Sequence, residues 1–322
     1  MASHTALRVV AALCLLVIVA ADAEASPARL VPAVYVFGDS TVDVGNNNHR
    51  RISSEARANF PHYGVDLIVG PTGRFSNGYN TADFLDFGDV IPMSQQLVHF
   101  AAVVEHMTKL SGSRKTASLL SRSIFFISTG SNDMFEYSAS RGDDSEFLRA
   151  LVATYKRSIT VLYRLGARKF SIVSIPPLGC LPSQRLRRLQ QTGTQGCFDP
   201  LNDLSLLSRP MLAAMLEELA QELPGMAYSL GDAFAMVSFV FANPRTDDWN
   251  FTELQAACCG GGPYGAAYAC NQTAQLCADR DEYLFWDANH PTQAVSSIAA
   301  QTLFAGNRTF VGPLNVKELA LL

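Results

Sequence analysis

Three short segments that lie far apart in the chain carry residue types that could act together in nucleophilic catalysis. Ser40 follows an apolar run that ends in Gly-Asp. His290 lies three residues after Asp287, and Asn132 comes two residues after Gly130. A serine hydroxyl becomes a nucleophile when a base takes its proton, and histidine is the usual base because its pKa lies near working pH. The three segments therefore predict a serine nucleophile, a carboxylate-oriented histidine and an amide donor to an oxyanion.

Each segment also has a simpler structural interpretation. Ser40 is suited to a turn or a helix N-cap, and Asn132 to a cap of the next helix. The Asp-x-x-His spacing at Asp287 and His290 occurs in ordinary surface turns. The chain has no Gly-x-Ser-x-Gly elbow and no Gly-rich phosphate loop with a lysine, so the common α/β-hydrolase pattern and nucleotide binding are both disfavoured.

Strand-like and helix-like segments alternate along the chain and must position these residues. The strand-like runs are Ala33–Phe37, Ile124–Ser128, Phe170–Ile175 and Ala227–Leu230. The helical patterns are Gln95–Leu110, Glu146–Leu165, Leu204–Leu223 and Thr292–Phe304. This order predicts an α/β fold with a parallel sheet covered on both faces. Ser40 and Asn132 each follow a strand, and parallel sheets place their chemistry at the carboxyl ends of strands. The Gly- and Cys-rich residues 243–281 are predicted to form a disulfide-held loop.

The N-terminus has the pattern of a secretory signal peptide. Arg8 precedes an apolar run, Val9–Ala20, and small residues follow it, so residues 1–25 are predicted to be removed. A membrane anchor is the alternative, but the run is shorter than the ~20 residues of a membrane span. Residues 26–322 are then predicted to form a single domain, without a transmembrane segment. The net charge of −4 and the lack of a basic run disfavour a nucleic-acid partner.

Six cysteines remain after the predicted signal peptide. They are Cys180, Cys197, Cys258, Cys259, Cys270 and Cys277. An even number in an oxidising compartment predicts disulfides. The clustering favours a local Cys180–Cys197 bridge, with two bridges among the other four. A bridge between adjacent cysteines would be strained, so Cys258 and Cys259 are each predicted to pair with more distant partners. No histidine lies among these cysteines, which disfavours a metal site.

Three sequons agree with a secreted protein. Asn250, Asn271 and Asn307 each begin an Asn-x-Thr tripeptide and are candidate glycosylation sites. The predicted location is extracellular or in the cell wall.

Taken together, these residues give a specific resemblance. The chain resembles the plant GDSL esterase/lipase family, the secreted branch of the SGNH hydrolases. The matching segments follow family order through nearly all of the mature chain. They are Phe37–Ser40, Gly45–Asn48, Gly70–Gly78, Gly130–Asp133, Pro176–Cys180, Cys258–Gly260 and Trp286–Thr292. The resemblance implies a three-layer α/β/α fold of the flavodoxin-like SGNH type with a five-stranded parallel sheet.

The resemblance also implies an activity and its residues. A family member cleaves carboxylic esters, of lipids or other acyl compounds, through an acyl-enzyme and without a cofactor or metal. Ser40 would be the nucleophile, His290 the base, and Asp287 the residue that orients the base. The substrate would be a small-molecule or lipid acyl ester.

The oxyanion hole that the resemblance implies has three donors. The Ser40 backbone N–H and the Asn132 side chain would be two of them, and Asp39 and Gly130 are expected to support them. The third family donor is a glycine N–H in a segment that this chain lacks.

The departure from the family lies between Asp83 and Ser94. Relatives have roughly forty more residues there, including the strand beside Ala33–Phe37, whose loss is expected to expose an edge prone to aggregation. The lost oxyanion donor would cost about 10²–10³ in rate. Gly78 and Gly88 are candidates to replace it. Two alternatives therefore stand beside an active esterase: a catalytically impaired splice or gene-model variant of the family, and a non-catalytic secreted binding protein.

Overall fold

Short apolar segments form a central sheet in the computed structural model, which describes residues 29–45, 48, 57–80, 93–140 and 142–322. The strands of this part of the chain are β1 (Val34–Gly38), β2 (Ile124–Ser128), β3 (Lys169–Val173), β4 (Ala227–Gly231), β5 (Glu253–Ala257), β6 (Cys259–Gly260), β7 (Gln275–Leu276), β8 (Tyr283–Phe285) and β9 (Val311–Pro313). The central sheet has the order β1-β2-β3-β4-β9. Strands β1 to β4 are parallel, and β9 runs antiparallel to β4.

The helices connect the parallel strands and flank the sheet. Those of the described residues are α1 (Met93–Ser111), α2 (Ser113–Arg122), α3 (Ser131–Ser140), α4 (Asp144–Leu165), α5 (Pro182–Thr192), α6 (Asp199–Glu222), α7 (Ala233–Ala242), α8 (Gln293–Ala305) and α9 (Val316–Leu321). Local signals define their ends. Asp143 caps α4 by accepting from the Glu146 N–H at 2.9 Å, and Gly166 ends the same helix with φ of 121°.

The side chains of each strand alternate between the two faces of the sheet. Phe125 and Ile127 pack with α1, α4 and α6 on one face, whereas Ile124 and Phe126 pack with α8 and α9 on the other. This period of two follows from strand geometry. Because apolar side chains leave both faces of the sheet, helices cover both faces and the protein has three layers, α/β/α. The predicted fold class is confirmed.

The register of the sheet brings two predicted site segments to the same end. Gly38 of β1 lies opposite Ser128 of β2. The chain therefore leaves both strands at adjacent points, toward Ser40 from one strand and toward Asn132 from the other.

Strand β1 is the terminal strand of the sheet within the described residues, and a helix side chain covers part of its edge. The buried Gln96 carboxamide on α1 accepts from the Gly38 N–H at 3.1 Å and donates to the Gly38 carbonyl at 2.8 Å. Tyr35 and Phe37 pack against Phe100 of α1, with ring centroids 4.9 and 5.5 Å apart. The expected edge is thus partly covered, and the fifth strand is the antiparallel β9 rather than a parallel one.

The favoured Cys180–Cys197 bridge is present, and Cys258 and Cys259 each pair with a more distant cysteine, whose identity the sequence left open. The bridges are Cys180–Cys197, Cys258–Cys277 and Cys259–Cys270. The segment 243–281, predicted to be a loop, also contains short strands. Strand β5 pairs with β8, and β6 pairs with β7. Strands of two to five residues give too little alternation to be recognised in the sequence.

Several predictions fall outside the described residues. They concern residues 1–25, Gly88, and most of the segment between Asp83 and Ser94. Among the helices of the described part, none has the length and apolar character needed to cross a membrane. The three sequon asparagines are exposed.

Candidate active site

The turn after β1 presents Ser40 at the carboxyl end of the sheet. Gly38 is required there because a Cβ would lie 2.1 Å from the Ser128 carbonyl oxygen. The Asp39 carboxylate then accepts from the Thr41 N–H at 3.1 Å and from its hydroxyl at 2.8 Å. These bonds cap a single 3-10 turn, Ser40–Val42. Each residue of Gly-Asp-Ser therefore has a separate part in fixing the position of Ser40.

Ser40, His290 and Asp287 form a continuous line of hydrogen bonds. The Ser40 Oγ lies 2.8 Å from His290 Nε2, and His290 Nδ1 lies 2.8 Å from Asp287 Oδ1. An ionised carboxylate only accepts, so Nδ1 carries the proton and Nε2 is left to accept from the Ser40 hydroxyl. The arrangement has the geometry of a nucleophile, a base and an orienting acid.

The Asp287 carboxylate is held by further donors besides the imidazole. Its Oδ1 accepts from the Asn289 and His290 backbone N–H groups at 2.8 and 2.9 Å. Its Oδ2 accepts from the Tyr63 hydroxyl at 2.8 Å. Asp287 and Tyr63 are both buried. Sequence reasoning missed Tyr63, because nothing in the spacing of two residues 224 positions apart indicates that they meet.

Charges and hydrogen bonds within the site shift the pKa values of His290 and Asp287 in opposite directions. Burial disfavours the imidazolium, but the charge and hydrogen bond of Asp287 outweigh it, so the pKa of His290 is raised. Burial likewise disfavours the carboxylate, but His290 and the N–H donors outweigh it, so the pKa of Asp287 is lowered. Burial and the Asp287 charge both raise the pKa of Tyr63, which keeps its hydroxyl as a donor.

The loop that carries Asp287 and His290 is anchored by its flanking residues. Trp286 is fully buried, its backbone N–H donates to the His290 carbonyl, and its backbone carbonyl accepts from the Cys259 N–H. Cys259 in turn is bonded to Cys270. After the histidine, Thr292 caps α8 through its hydroxyl. A disulfide-bonded segment on one side and a helix start on the other thus fix the base.

Asn132 lines the same two cavities as Ser40 and His290. It lies in the first turn of α3, directly after Gly130, whose φ of 102° favours glycine. Asn132 is exposed, and its carboxamide makes no hydrogen bond to any described residue. The Ser40 N–H also has no acceptor within the described part of the chain. Both groups are therefore available to a ligand that sits beside the Ser40 oxygen.

Comparison with known proteins agrees with this geometry. The family model described as GDSL-like Lipase/Acylhydrolase matches residues 34–303. The chain belongs to this family. Its members are esterases and lipases, so the chain is a hydrolase that acts on esters.

Several plant GDSL proteins are similar over almost their whole length. The chain is 32% identical to GDSL esterase/lipase At2g04570 of Arabidopsis thaliana, over 92% of this chain and 96% of that protein. It is also 32% identical to GDSL esterase/lipase 7 of the same plant, over 91% and 93% of the two chains. With GDSL esterase/lipase At1g71691 the identity is 32%, over 91% and 86%.

These alignments also bear on the residues that this GDSL chain lacks. The alignment with GDSL esterase/lipase At2g04570 is 349 residues long, whereas this chain has 322. That relative therefore has residues with no counterpart here. Of the two glycines that the sequence suggested as replacements for a family oxyanion donor, Gly78 directs its N–H toward Ser76 Oγ at 3.4 Å and lies against Gln293. It does not line the cavities beside Ser40.

Side chains of the GDSL segment Gly70–Gly78 contact His290 and the helix that follows it. Phe75 packs on the His290 ring, with centroids 4.8 Å apart. Asn77 accepts from the Gln293 N–H at the start of α8 and donates to Asp66, which pairs with Arg280. The segment therefore holds the imidazole and the helix that follows it, a contact that its sequence did not indicate. Among the described residues, no cluster of three His, Cys, Asp or Glu could hold a metal ion.

Proposed function

We propose that this protein is a secreted serine hydrolase that cleaves carboxylic esters through Ser40, His290 and Asp287 and an acyl-enzyme. The observation that carries the proposal is the hydrogen-bonded line from the Ser40 hydroxyl to the buried Asp287 carboxylate. It supplies an activated nucleophile, which is the group that ester cleavage at neutral pH needs. The Ser40 N–H and the Asn132 amide are proposed as the oxyanion donors.

In the first half of the reaction, the Ser40 oxygen attacks the ester carbonyl carbon while His290 Nε2 takes the hydroxyl proton. Asp287 stabilises the imidazolium that forms and keeps the ring in the productive tautomer. The carbonyl oxygen gains negative charge, which the Ser40 N–H and the Asn132 amide stabilise. His290 then gives its proton to the departing alcohol, and the acyl group remains on Ser40.

In the second half, water takes the place of the alcohol. His290 removes a proton from the water as the water attacks the acyl carbon, and returns the proton to the Ser40 oxygen as the acid leaves. His290 acts only when neutral, so its raised pKa sets the acid limit of activity. The rate is expected to rise with pH through a value above about 6.5, the ordinary pKa of histidine.

Secretion is proposed from the covalent structure. Three disulfides are typical of proteins that mature in an oxidising compartment, and the sequons at Asn250, Asn271 and Asn307 are exposed. The test is expression of the whole chain in eukaryotic cells. Protein is expected in the medium without residues 1–25 and with a mass that falls on enzymatic deglycosylation, whereas retention of an unprocessed chain in the cells would contradict secretion.

The main experiment measures turnover of p-nitrophenyl acetate and butyrate by the purified protein and by its Ser40→Ala variant. Loss of the nucleophile is expected to lower kcat by about 10⁴-fold or more. A Ser121→Ala variant is the matched control, because Ser121 lies on α2 and bonds only to a neighbouring helical carbonyl. Equal rates for the wild type and Ser40→Ala would reject the proposal and favour the alternatives of an impaired variant or a binding protein.

An acyl-enzyme has its own signature. Because the alcohol leaves before water attacks, a burst of p-nitrophenol equal to the amount of enzyme is expected before the steady state when deacylation is the slower step. Mass spectrometry of the quenched reaction should then find the acyl group on the peptide that contains Ser40. A burst together with an unmodified Ser40 peptide would exclude Ser40 as the acylated residue.

A further inference from the structure

One of the two cavities at Ser40 extends from the site into the protein core. It has a volume of about 540 Å³, which lies within the range of small-molecule sites. Ser40 and His290 line one part of it, which we call its mouth. Met236 of α7 and Ala299 and Leu303 of α8 line another part, which we call its inner end. The cavity thus lies between the second face of the sheet, which contributes Phe126, and helices α7 and α8.

The inner wall of this cavity is apolar. Phe126, Leu284 and Leu303 line it and are 1%, 2% and 1% exposed. The Ser174 hydroxyl is also part of the wall, but it accepts from the Ala233 N–H at 3.0 Å. The polar side chains of Ser183, in the first turn of α5, and of Asn289, in the loop that carries His290, also line the cavity and bond to each other at 2.6 Å. The inner part therefore suits a hydrocarbon and does not suit a sugar, whose hydroxyls would lose their hydrogen bonds there.

The second cavity at Ser40 differs in character. It has a volume of about 670 Å³ and shares Ser40, Asn132 and His290 with the first. Its lining includes the exposed residues Asp133 and Thr154. A leaving alcohol must depart to solvent and be replaced by water, and this more polar side permits both. The acyl group must instead stay in place through both steps.

We infer that the apolar cavity holds the acyl chain of the substrate, so that this enzyme prefers esters of medium-length or longer unbranched fatty acids over acetates. The inference rests on the proposed function. The chain would extend from the carbonyl at Ser40 past Phe126 and toward Met236 and Ala299. A further space of about 90 Å³ adjoins the cavity at Met236 and Ala299, which line both, and is available to a longer chain.

The first test compares p-nitrophenyl esters from acetate to decanoate. Each methylene group moved from water into the apolar cavity raises kcat/KM by about fourfold at most. The ratio of kcat/KM for octanoate to that for acetate is therefore expected to exceed tenfold. A flat series would overturn the inference. So would a dependence on alkyl length in ethyl to octyl acetates with none on acyl length, because the cavity would then hold the alcohol.

Two variants test the position of the chain. Ala299→Phe fills the inner end and is expected to lower the octanoate-to-acetate ratio at least tenfold. Met236→Ala opens the way to the adjoining space and is expected to raise the ratio of decanoate to octanoate, and this variant decides the question if Ala299→Phe fails to fold. Met215→Ala is the control, because Met215 is also a methionine of a hydrophobic cluster but lies on α6 against the opposite face of the sheet. An unchanged ratio in both cavity variants would overturn the inference.

A binding measurement separates this inference from the proposed function. Titration of the Ser40→Ala protein with sodium octanoate is expected to show binding, and Ala299→Phe in the same background should weaken it at least tenfold. If the wild type turns over no ester but octanoate still binds in this way, the proposed function fails and the chain cavity stands. If esters are cleaved but octanoate does not bind and the acyl series is flat, the chain cavity fails and the function stands.

Discussion

The base side of the site, formed by Tyr63, Asp287 and His290, is held by far more contacts than the oxyanion side, formed by Ser40 and Asn132. Asp287 is buried and accepts hydrogen bonds from the imidazole, two backbone N–H groups and the Tyr63 hydroxyl. Asn132 is exposed, and its carboxamide has no partner in the described part of the chain. Catalytic groups contribute most when they are oriented before the substrate arrives. The proposed base is therefore preorganised, whereas the proposed oxyanion donor, Asn132, is expected to gain its hydrogen bond only from the substrate.

The two sides also differ in what surrounds them. The base loop follows β8 and is joined to the disulfide-bonded segment through Trp286 and Cys259. Ser40 follows β1, the terminal strand of the sheet within the described residues, whose last residue is held by Gln96. Relatives have residues with no counterpart in this chain. Loss of a segment next to β1 would weaken the oxyanion side and leave the base side intact.

The largest effect is expected from Asp287→Asn. An asparagine would turn an N–H toward His290 Nδ1, so the proton would move to Nε2, which could no longer accept from Ser40. The expected loss in kcat is about 10⁴-fold at neutral pH. Steady-state kinetics on p-nitrophenyl butyrate measure it, with the exposed Asp247→Asn as the control. A decrease in kcat of less than tenfold would show that the carboxylate does not orient the base. The contacts of Asp287 would then not make the base side the better organised one.

Removal of the amide donor is expected to have the next largest effect. Asn132→Ala should lower kcat by about 10²–10³-fold with little change in KM, because the amide acts on charge that develops in the transition state. The fall corresponds to about 3–4 kcal/mol. Asn132→Asp keeps the size of the side chain but brings a negative charge to the oxyanion, and it should reduce kcat at least as far. Wild-type kcat in either variant would exclude Asn132 from the oxyanion hole.

The support of β1 can be tested through stability. Gln96→Leu removes the carboxamide that pairs with both the N–H and the carbonyl of Gly38, and leaves two buried polar groups unpaired. The free energy of unfolding is expected to fall by about 2–3 kcal/mol, as measured by urea denaturation. The exposed neighbour Gln95→Leu is the control. Equal stability of the two variants would show that the Gln96 bonds do not hold the strand that carries Ser40.

The predictable part of the molecule depended on local patterns. The four parallel strands were recognised because each is a mostly apolar run, which is typical of strands buried on both faces; β1 and β2 are nearly continuous, whereas a serine interrupts β3 and β4. The antiparallel β9 was missed because its three residues, Val311–Pro313, include a glycine and a proline and show no alternation. The pairing of Cys180 with Cys197 followed from their closeness in the chain, and the strain of a bridge between adjacent cysteines directed Cys258 and Cys259 outward.

The residues of the site also divide into those that local sequence patterns predict and those that only the fold reveals. Ser40, Asp287 and His290 lie in segments whose composition indicates chemistry, so the sequence nominated them together. Tyr63 and Gln96 act through contacts across 224 and 58 residues. Neither residue type is unusual for a loop or a helix, and a single sequence carries no signal for such a contact. Their roles become visible only when the fold brings Tyr63 to Asp287 and Gln96 to Gly38.

The smallest effect, and the finest test of the comparison, is expected from Tyr63→Phe. The hydroxyl is one of several donors to Asp287, so its loss should reduce kcat by about tenfold or less, roughly the worth of one hydrogen bond. It should also move the pH profile. Without this donor the carboxylate keeps more negative charge toward His290, the imidazolium is more stable, and the pKa of His290 rises further. The acid limb of kcat/KM should therefore shift to higher pH. Tyr163→Phe, which removes a hydroxyl bonded to the Pro224 carbonyl far from the site, should leave the limb in place. A lower melting temperature with an unmoved acid limb would show that Tyr63 contributes only packing, and that the backbone N–H groups and the imidazole are sufficient to hold Asp287.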